Sequence, residues 1–235
     1  MLKIRNMKKK KLRGIIFAYR FIVIALMGML IFSLKVQADN KKPTIVKQEI
    51  LNPNIVMLGD SITDFYDLDK YYGTEVLMVN SGINGNKTSD IINNIRNRVY
   101  NYNPSKIFLL IGVNDIIYDD ASPEDVVGKI DEIVSEIREK LPNTKVYIES
   151  IYPINNTWRD EHDYRVKDEN EVNNTISTTN SLIKDYCKEN ELKYINVNDS
   201  LLNDNGVLDS NYTDDGLHPN DNGYEVITKI LKKYM

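Results

Sequence analysis

Acyl transfer needs a nucleophile, a base to take its proton, a group to orient that base, and donors for the oxygen that becomes negative. The chain offers a candidate for each role. Ser61 closes the segment Leu58-Gly59-Asp60-Ser61, directly after a short apolar run. A serine at such a strand-to-helix corner presents its hydroxyl outward, and its N–H lies near a helix N-terminus, where negative charge is favoured. Taken alone, Ser61 could equally be a helix cap. His218 is one of two histidines and stands in Asp215-Gly216-Leu217-His218-Pro219. A carboxylate three residues ahead of an imidazole can fold back in a tight turn to accept Nδ1–H, and Gly216 and Pro219 favour such a turn. The plainer alternative is an exposed histidine at a helix start. Asn114, in Gly112-Val113-Asn114-Asp115, could donate its side-chain amide to an oxyanion. Gly82, in Asn80-Ser81-Gly82-Ile83-Asn84-Gly85, could donate its N–H with no side chain to obstruct a substrate. Both are also ordinary turn residue types. The second histidine, His162, lies among Arg159, Asp160, Glu161, Asp163 and Arg165 and reads as solvated surface.

These residues must be held by something, and the surrounding pattern says what. Short apolar runs occur at Asn54–Leu58, Glu75–Val79, Lys106–Ile111, Lys145–Ile151 and Leu192–Val197. Bounded by Gly, Pro, Asn or Asp, they read as strands buried on both faces. Helical spacing lies between them. Ser122-Pro123-Glu124-Asp125 is a start signal, with a capping Ser, Pro in the first turn and acids at the positive dipole end. Val126, Ile130, Ile133, Ile137 and Leu141 then recur at helical spacing, as do Val172, Ile176, Thr179, Ile183 and Tyr186, and Tyr224, Ile227, Leu231 and Tyr234. Ile91, Ile95 and Val99 mark a weaker helix. Strands alternating with helices imply an α/β fold, a parallel sheet with helices on both faces. In such sheets ligands bind beyond the carboxyl ends of the strands, where the Gly, Asn, Asp and Ser clusters fall.

Taken together, the Gly-Asp-Ser block at Ser61, Gly82, the Gly-x-Asn-Asp block at Asn114 and the Asp-x-x-His-Pro block at His218 resemble the SGNH hydrolase family, the GDSL-like lipases and esterases. The resemblance runs from about Asn54 to Tyr234. The first block lacks the longer Gly-Asp-Ser-Leu form, since Ile62 follows Ser61. The resemblance implies a three-layer α/β/α sandwich with about five parallel strands, flavodoxin-like. It implies Ser61, Asp215 and His218 as the catalytic triad. It implies the Ser61 N–H, the Gly82 N–H and the Asn114 side chain as the oxyanion hole. The expected reaction is hydrolysis of a carboxylic ester through an acyl-serine intermediate, with no metal and no organic cofactor. No Gly-x-Ser-x-Gly elbow surrounds Ser61, which disfavours an α/β-hydrolase. A non-catalytic surface module that binds glycans is the alternative class.

The remaining sequence bears on where the reaction takes place. Residues 1–38 hold nine Lys/Arg and no acid, and an apolar run of 14 residues extends from Phe21 to Leu34. That length suits a secretory signal peptide ending near Val36-Gln37-Ala38; an N-terminal membrane anchor, and so a membrane tether, is the rival. Residues 39–52 read as a linker and 53–235 as the hydrolase domain. The chain after residue 38 has 21 basic and 34 acidic residues, a formal charge of −13, which disfavours nucleic acid as a partner. Cys187 is the single cysteine, so no intramolecular disulfide can form, and its expected role is a small buried hydrophobe. No phosphate-binding loop or dinucleotide fingerprint is present. An exported chain without disulfides suits a bacterial surface. Export and the polar loop Ile154–Asp168, with Trp158, point to a small-molecule or glycan ester such as an O-acetyl group; a lysophospholipase-like or short-chain lipid esterase is the alternative.

Overall fold

In the computed structural model, residues 54–155, 157 and 168–235 are described. The leader, the linker, Trp158 and His162 lie outside the described residues. Ile55–Gly59 forms β1, and every one of its side chains is buried. That is the expected fate of an apolar run with no alternation: a central strand covered on both faces. Its neighbours are β2 (Met78–Gly82) and β3 (Lys106–Leu110), both parallel to it. Next to β3 run β4 (Lys145–Glu149) and then β5 (Lys193–Ile195), again parallel. The order β2-β1-β3-β4-β5 is the doubly wound, flavodoxin-like arrangement, with its switch point between β1 and β3.

β2 begins three residues later than its apolar run suggested. Met78 pairs with Ile55 and Gly82 with Gly59, so the strand includes the polar Asn80 and Ser81 and leaves out Glu75–Leu77. β2 is an edge strand and only partly buried, so hydrophobicity does not mark its limits.

The helices follow their periodicities closely. The short α1 (Ser61–Asp64) and α2 (Leu68–Tyr72) follow β1. Next comes α3 (Thr88–Ile95), which runs into a π turn at Arg96–Tyr100. Ile91, Ile95 and Val99 face the core across that junction. After β3 come α4 (Val113–Asp119) and α5 (Pro123–Lys140). Ser122 Oγ accepts the Asp125 N–H at 3.1 Å, and Val126, Ile130, Ile133 and Ile137 are buried. α6 (Glu169–Glu189) buries Val172, Ile176, Thr179, Ile183 and Cys187, and α7 (Asp221–Leu231) buries Tyr224, Ile227 and Leu231. The core lies on both faces of the sheet. The strands therefore hold their carboxyl ends, at Gly59, Gly82 and Leu110, along one edge.

Candidate active site

The carboxyl end of β1 leaves no room for a side chain. A Cβ on Gly59 would meet Thr63 Oγ1 at 2.2 Å and Leu110 O at 2.4 Å, so the strand can turn sharply into α1 only with glycine here. Asp60 is fully buried, and its Oδ1 accepts the Ile62 N–H at 3.0 Å. The cap of α1 is thus Asp60. Ser61 is the first helical residue, and its hydroxyl is available for another partner.

That partner is His218. Its Nε2 lies 2.9 Å from Ser61 Oγ, across 157 residues of sequence. Its Nδ1 lies 2.6 Å from Asp215 Oδ2. The tight turn expected between Asp215 and His218 has a definite mechanism. Asp215 Oδ1 accepts the Leu217 N–H at 2.9 Å and the His218 N–H at 2.8 Å, and Gly216 takes a positive φ of 89°. Thr213 Oγ1 braces the turn by accepting the Gly216 N–H and donating to the His218 carbonyl. Burial pushes the Asp215 carboxyl up, but the bonds from the His218 ring and the two backbone N–H groups outweigh it. The carboxyl is held below the usual carboxylate range. Asp214 is exposed and accepts from Asn220 Nδ2 at 3.2 Å instead. The Phe65 ring packs 4.9 Å from the His218 ring.

Asn114, on the first turn of α4, is 3% exposed, and its Nδ2 donates to the Asn86 carbonyl at 2.9 Å. An amide nitrogen carries two hydrogens, so one remains for another acceptor.

The expectation for Gly82 is corrected by its surroundings. Its N–H is already donated to Asn80 Oδ1 at 2.9 Å. Its Cα faces α1, where a Cβ would meet the Asp64 backbone nitrogen at 2.1 Å. Gly82 is needed for the close approach of β2 to α1. Along the same loop, Ile83 N–H goes to Gly59 O, Asn84 N–H to Asp64 Oδ2, Asn86 N–H to Ile83 O and Lys87 N–H to Asp90 Oδ2. The Gly85 N–H has no such partner among the described residues. Gly85 has φ 74°, and a Cβ there would meet nothing within 4 Å. The donor left open on this loop is Gly85, beside the Asn86 carbonyl that holds Asn114.

The GDSL-like Lipase/Acylhydrolase family matches residues 57–226. The chain belongs to that family. It is an SGNH hydrolase, an enzyme that hydrolyses esters. It is 30% identical over 178 residues to N-acylneuraminate cytidylyltransferase of Escherichia coli O18:K1:H7 (strain RS218 / NMEC), covering 74% of this chain but only 38% of that protein. It is 22% identical over 184 residues to platelet-activating factor acetylhydrolase IB subunit alpha2 of Rattus norvegicus, covering 76% of this chain and 74% of that protein. Among solved structures, a Streptococcus pneumonia protein named for platelet activating factor has 28% identity and a TM-score of 0.71, covering 91% of this chain and 98% of that one. A GDSL-like lipase from Bacteroides thetaiotaomicron has a TM-score of 0.65 at 21% identity, covering 86% of this chain and 96% of that one, a likeness of fold.

Within this SGNH hydrolase, the burial of three ionisable residues escaped the sequence reading. Asp60 and Glu149 are buried carboxyls whose pKa values burial pushes up to about 7. Glu149 accepts from Tyr152 OH at 2.6 Å. Arg98, in the π turn, is 4% exposed. A carboxyl at or just past the end of a strand, or a guanidinium in a helical pattern, reads as solvated, and only packing reveals otherwise. The one local signal for Gly85 was its place as a second glycine just ahead of α3.

Proposed function

We propose that this SGNH hydrolase is an exported serine esterase that removes short acyl groups, O-acetyl groups on glycans foremost. The observation that carries the serine mechanism is the pair of hydrogen bonds from Ser61 through His218 to Asp215, at 2.9 and 2.6 Å. In this reading His218 Nε2 takes the Ser61 proton as Oγ attacks the ester carbonyl. Asp215 steadies the imidazolium that forms. The negative oxygen is met by the Ser61 N–H, the Gly85 N–H and the free hydrogen of Asn114 Nδ2. His218 then returns the proton to the leaving alcohol, which departs and leaves an acyl-serine. Water, deprotonated by the same imidazole, releases the acid.

The polar alcohol side of the substrate is supported by a cleft of about 600 Å³ that shares with the site the Phe65 ring packed on His218, although Ser61 and His218 do not line it. Phe65, Lys70, Tyr71, Asp214, Asn220 and Asp221 line it. Lys70 and Tyr71 both bond Asp221, at 2.5 and 3.0 Å, which leaves a hydrophilic floor with an aromatic edge. Such a surface suits a sugar better than an acyl chain. The acetylhydrolase named among the relatives favours a short acyl group. Export rests on the basic and apolar leader of residues 1–38, either removed or kept as a tether.

A lipid ester is the second reading, because Phe65 and Ile83 expose large apolar side chains on the loops that follow α1 and β2. A p-nitrophenyl ester series from acetyl to palmitoyl, run beside an O-acetylated glycan, separates the two. The glycan reading expects the highest kcat/KM at acetyl and release of acetate from the glycan. An optimum at long chains overturns it. No turnover of any ester would favour the non-catalytic module.

A further inference from the structure

Arg98 is a buried guanidinium that bonds three segments meeting at the site. Its guanidinium Nη2 donates to Gly59 O at 2.6 Å and also to Ser81 O, and its Nη1 donates to Asn86 Oδ1 at 2.6 Å. Its own carbonyl accepts from Ser81 Oγ at 3.0 Å. One side chain thus joins the end of β1, the end of β2 and the loop before α3. Gly59 and Asn86 each lie one or two residues from a proposed oxyanion donor. Gly59 precedes Asp60 and Ser61. Asn86 follows Gly85, and its carbonyl holds the Asn114 amide at 2.9 Å. The Gly59 carbonyl takes both the Arg98 Nη2–H and the Ile83 N–H, which ties the Gly85 loop to the Ser61 corner.

Burying a guanidinium is costly, and burial lowers the Arg98 pKa from its ordinary value. An apolar side chain of similar volume could fill the space without that cost. What it could not do is hold three acceptors at fixed angles, which the planar fork of Arg does and the point charge of Lys does not. Arg98 makes no hydrogen bond to Ser61, His218 or Asp215. Its neighbour is Asp60, whose Oδ2 and the Arg98 Nε are the buried side-chain atoms without a hydrogen-bond partner among the described residues. No hydrogen bond joins the Asp60 carboxyl to the Arg98 guanidinium.

We propose that Arg98 is a positioning residue that sets the spacing of the Ser61 N–H, the Gly85 N–H and the Asn114 amide around the oxyanion. It acts through Gly59 and Asn86 and never touches the substrate. The proposal rests on the serine-esterase reading above. Loss of a single oxyanion donor typically lowers kcat by about 10²–10³. Displacement of the set should fall somewhat short of that.

The test compares full-length wild type, Ser61→Ala, Arg98→Lys, Arg98→Met and Asn86→Ala on p-nitrophenyl acetate, with near-ultraviolet circular dichroism as the check on folding. Arg98→Lys is expected to lower kcat by about 10–100-fold, with KM within about twofold and the midpoint of the pH–rate profile unmoved. A loss carried by KM, a moved midpoint, or wild-type kcat in folded Arg98→Lys overturns the proposal. Should neither Arg98 variant fold, Asn86→Ala decides: it removes the Nη1 acceptor but keeps the carbonyl that holds Asn114. A fall in kcat at constant KM supports the proposal, and an unchanged kcat overturns it. A protein readout needs no turnover. The Asn114 side-chain amide resonances, assigned with Asn114→Ala, should shift in Arg98→Lys, or in Asn86→Ala if the Arg98 variants do not fold. Unchanged resonances overturn the proposal. A silent wild type, or an active Ser61→Ala, fails the esterase reading separately.

Discussion

Replacing Asp215 by Asn tests the His218 orientation atom by atom. The amide is nearly isosteric, and its oxygen can stay where Oδ1 now accepts the Leu217 and His218 N–H groups, at 2.9 and 2.8 Å. The turn should therefore survive. The amide nitrogen then occupies the position of Oδ2, 2.6 Å from Nδ1. Two N–H groups cannot face each other at that distance, so the imidazole must carry its hydrogen on Nε2. Nε2 is the atom 2.9 Å from Ser61 Oγ, and a protonated Nε2 cannot take the Ser61 proton. The loss also includes the carboxylate's stabilisation of the imidazolium. For the equivalent change in a serine protease the loss is about 10⁴ in kcat, and the partly exposed setting of Asp215 makes that an upper figure. Asp214→Asn is the control. Its carboxylate is exposed and accepts from Asn220 Nδ2, so the change should fall within about 0.5 kcal/mol, roughly twofold. The assay is kcat on p-nitrophenyl acetate for the folded variants. The reasoning is refuted if Asp214→Asn is the more damaging change, or if Asp215→Asn keeps kcat within about tenfold of wild type.

Other expectations follow from single contacts. Asn114→Ala should lower kcat by about 10²–10³ with little change in KM, since the proposed mechanism gives its free amide hydrogen to the oxyanion; a change in KM alone would make it a binding residue. Glu149 is buried and its pKa is raised from 4.5 to about 7. The folded state therefore keeps a proton that the unfolded state releases, and stability should fall as pH rises through that window, by at most about 3 kcal/mol. Glu149→Gln should flatten part of that slope in denaturant unfolding from pH 5 to 8, with the share due to Asp60 remaining; an unaltered slope contradicts the burial argument. Gly128 sits on α5 with nothing within 4 Å of an added methyl, whereas a methyl on Gly59 meets backbone at 2.4 Å. Gly128→Ala should raise the thermal midpoint, by the equivalent of about 0.5–1 kcal/mol, and Gly59→Ala should lower it sharply.

How much of this was legible beforehand depended on how local the physics was. α5 could be read because its cap, first-turn acids and apolar stripe all lie within one short segment. The Asp215–His218 turn could be read for the same reason, since carboxylate, glycine and imidazole are close in sequence. β1 and β3 announced themselves as central strands by continuous apolarity, and that was enough to bring Ser61 and Asn114 to one edge. β2 was misplaced because its polar Asn80 and Ser81 are held by carbonyls distant in sequence, those of Thr63, Tyr66 and Arg98, so polarity did not mark the end of the strand. Gly82 and Gly85 looked alike as glycines after a strand. Which N–H remained open was decided by the Asn80 side chain and by α1, and neither was predictable from the loop itself. Arg98 was hidden in a helical pattern that gave Ile91, Ile95 and Val99 to the core and left the charged residues between them to solvent. Its partners are carbonyls of β1 and β2 and the Asn86 side-chain oxygen, which come together only in the folded chain.

The central claim is that Ser61 carries the acyl group. The direct measurement is to mix the full-length enzyme with p-nitrophenyl acetate, quench in acid within one turnover, digest, and locate the acetyl group by mass spectrometry. The account predicts acetyl on the peptide at Ser61, and no acetyl peptide and no turnover in folded Ser61→Ala. Acetyl found on another residue, or wild-type turnover by Ser61→Ala, would contradict it.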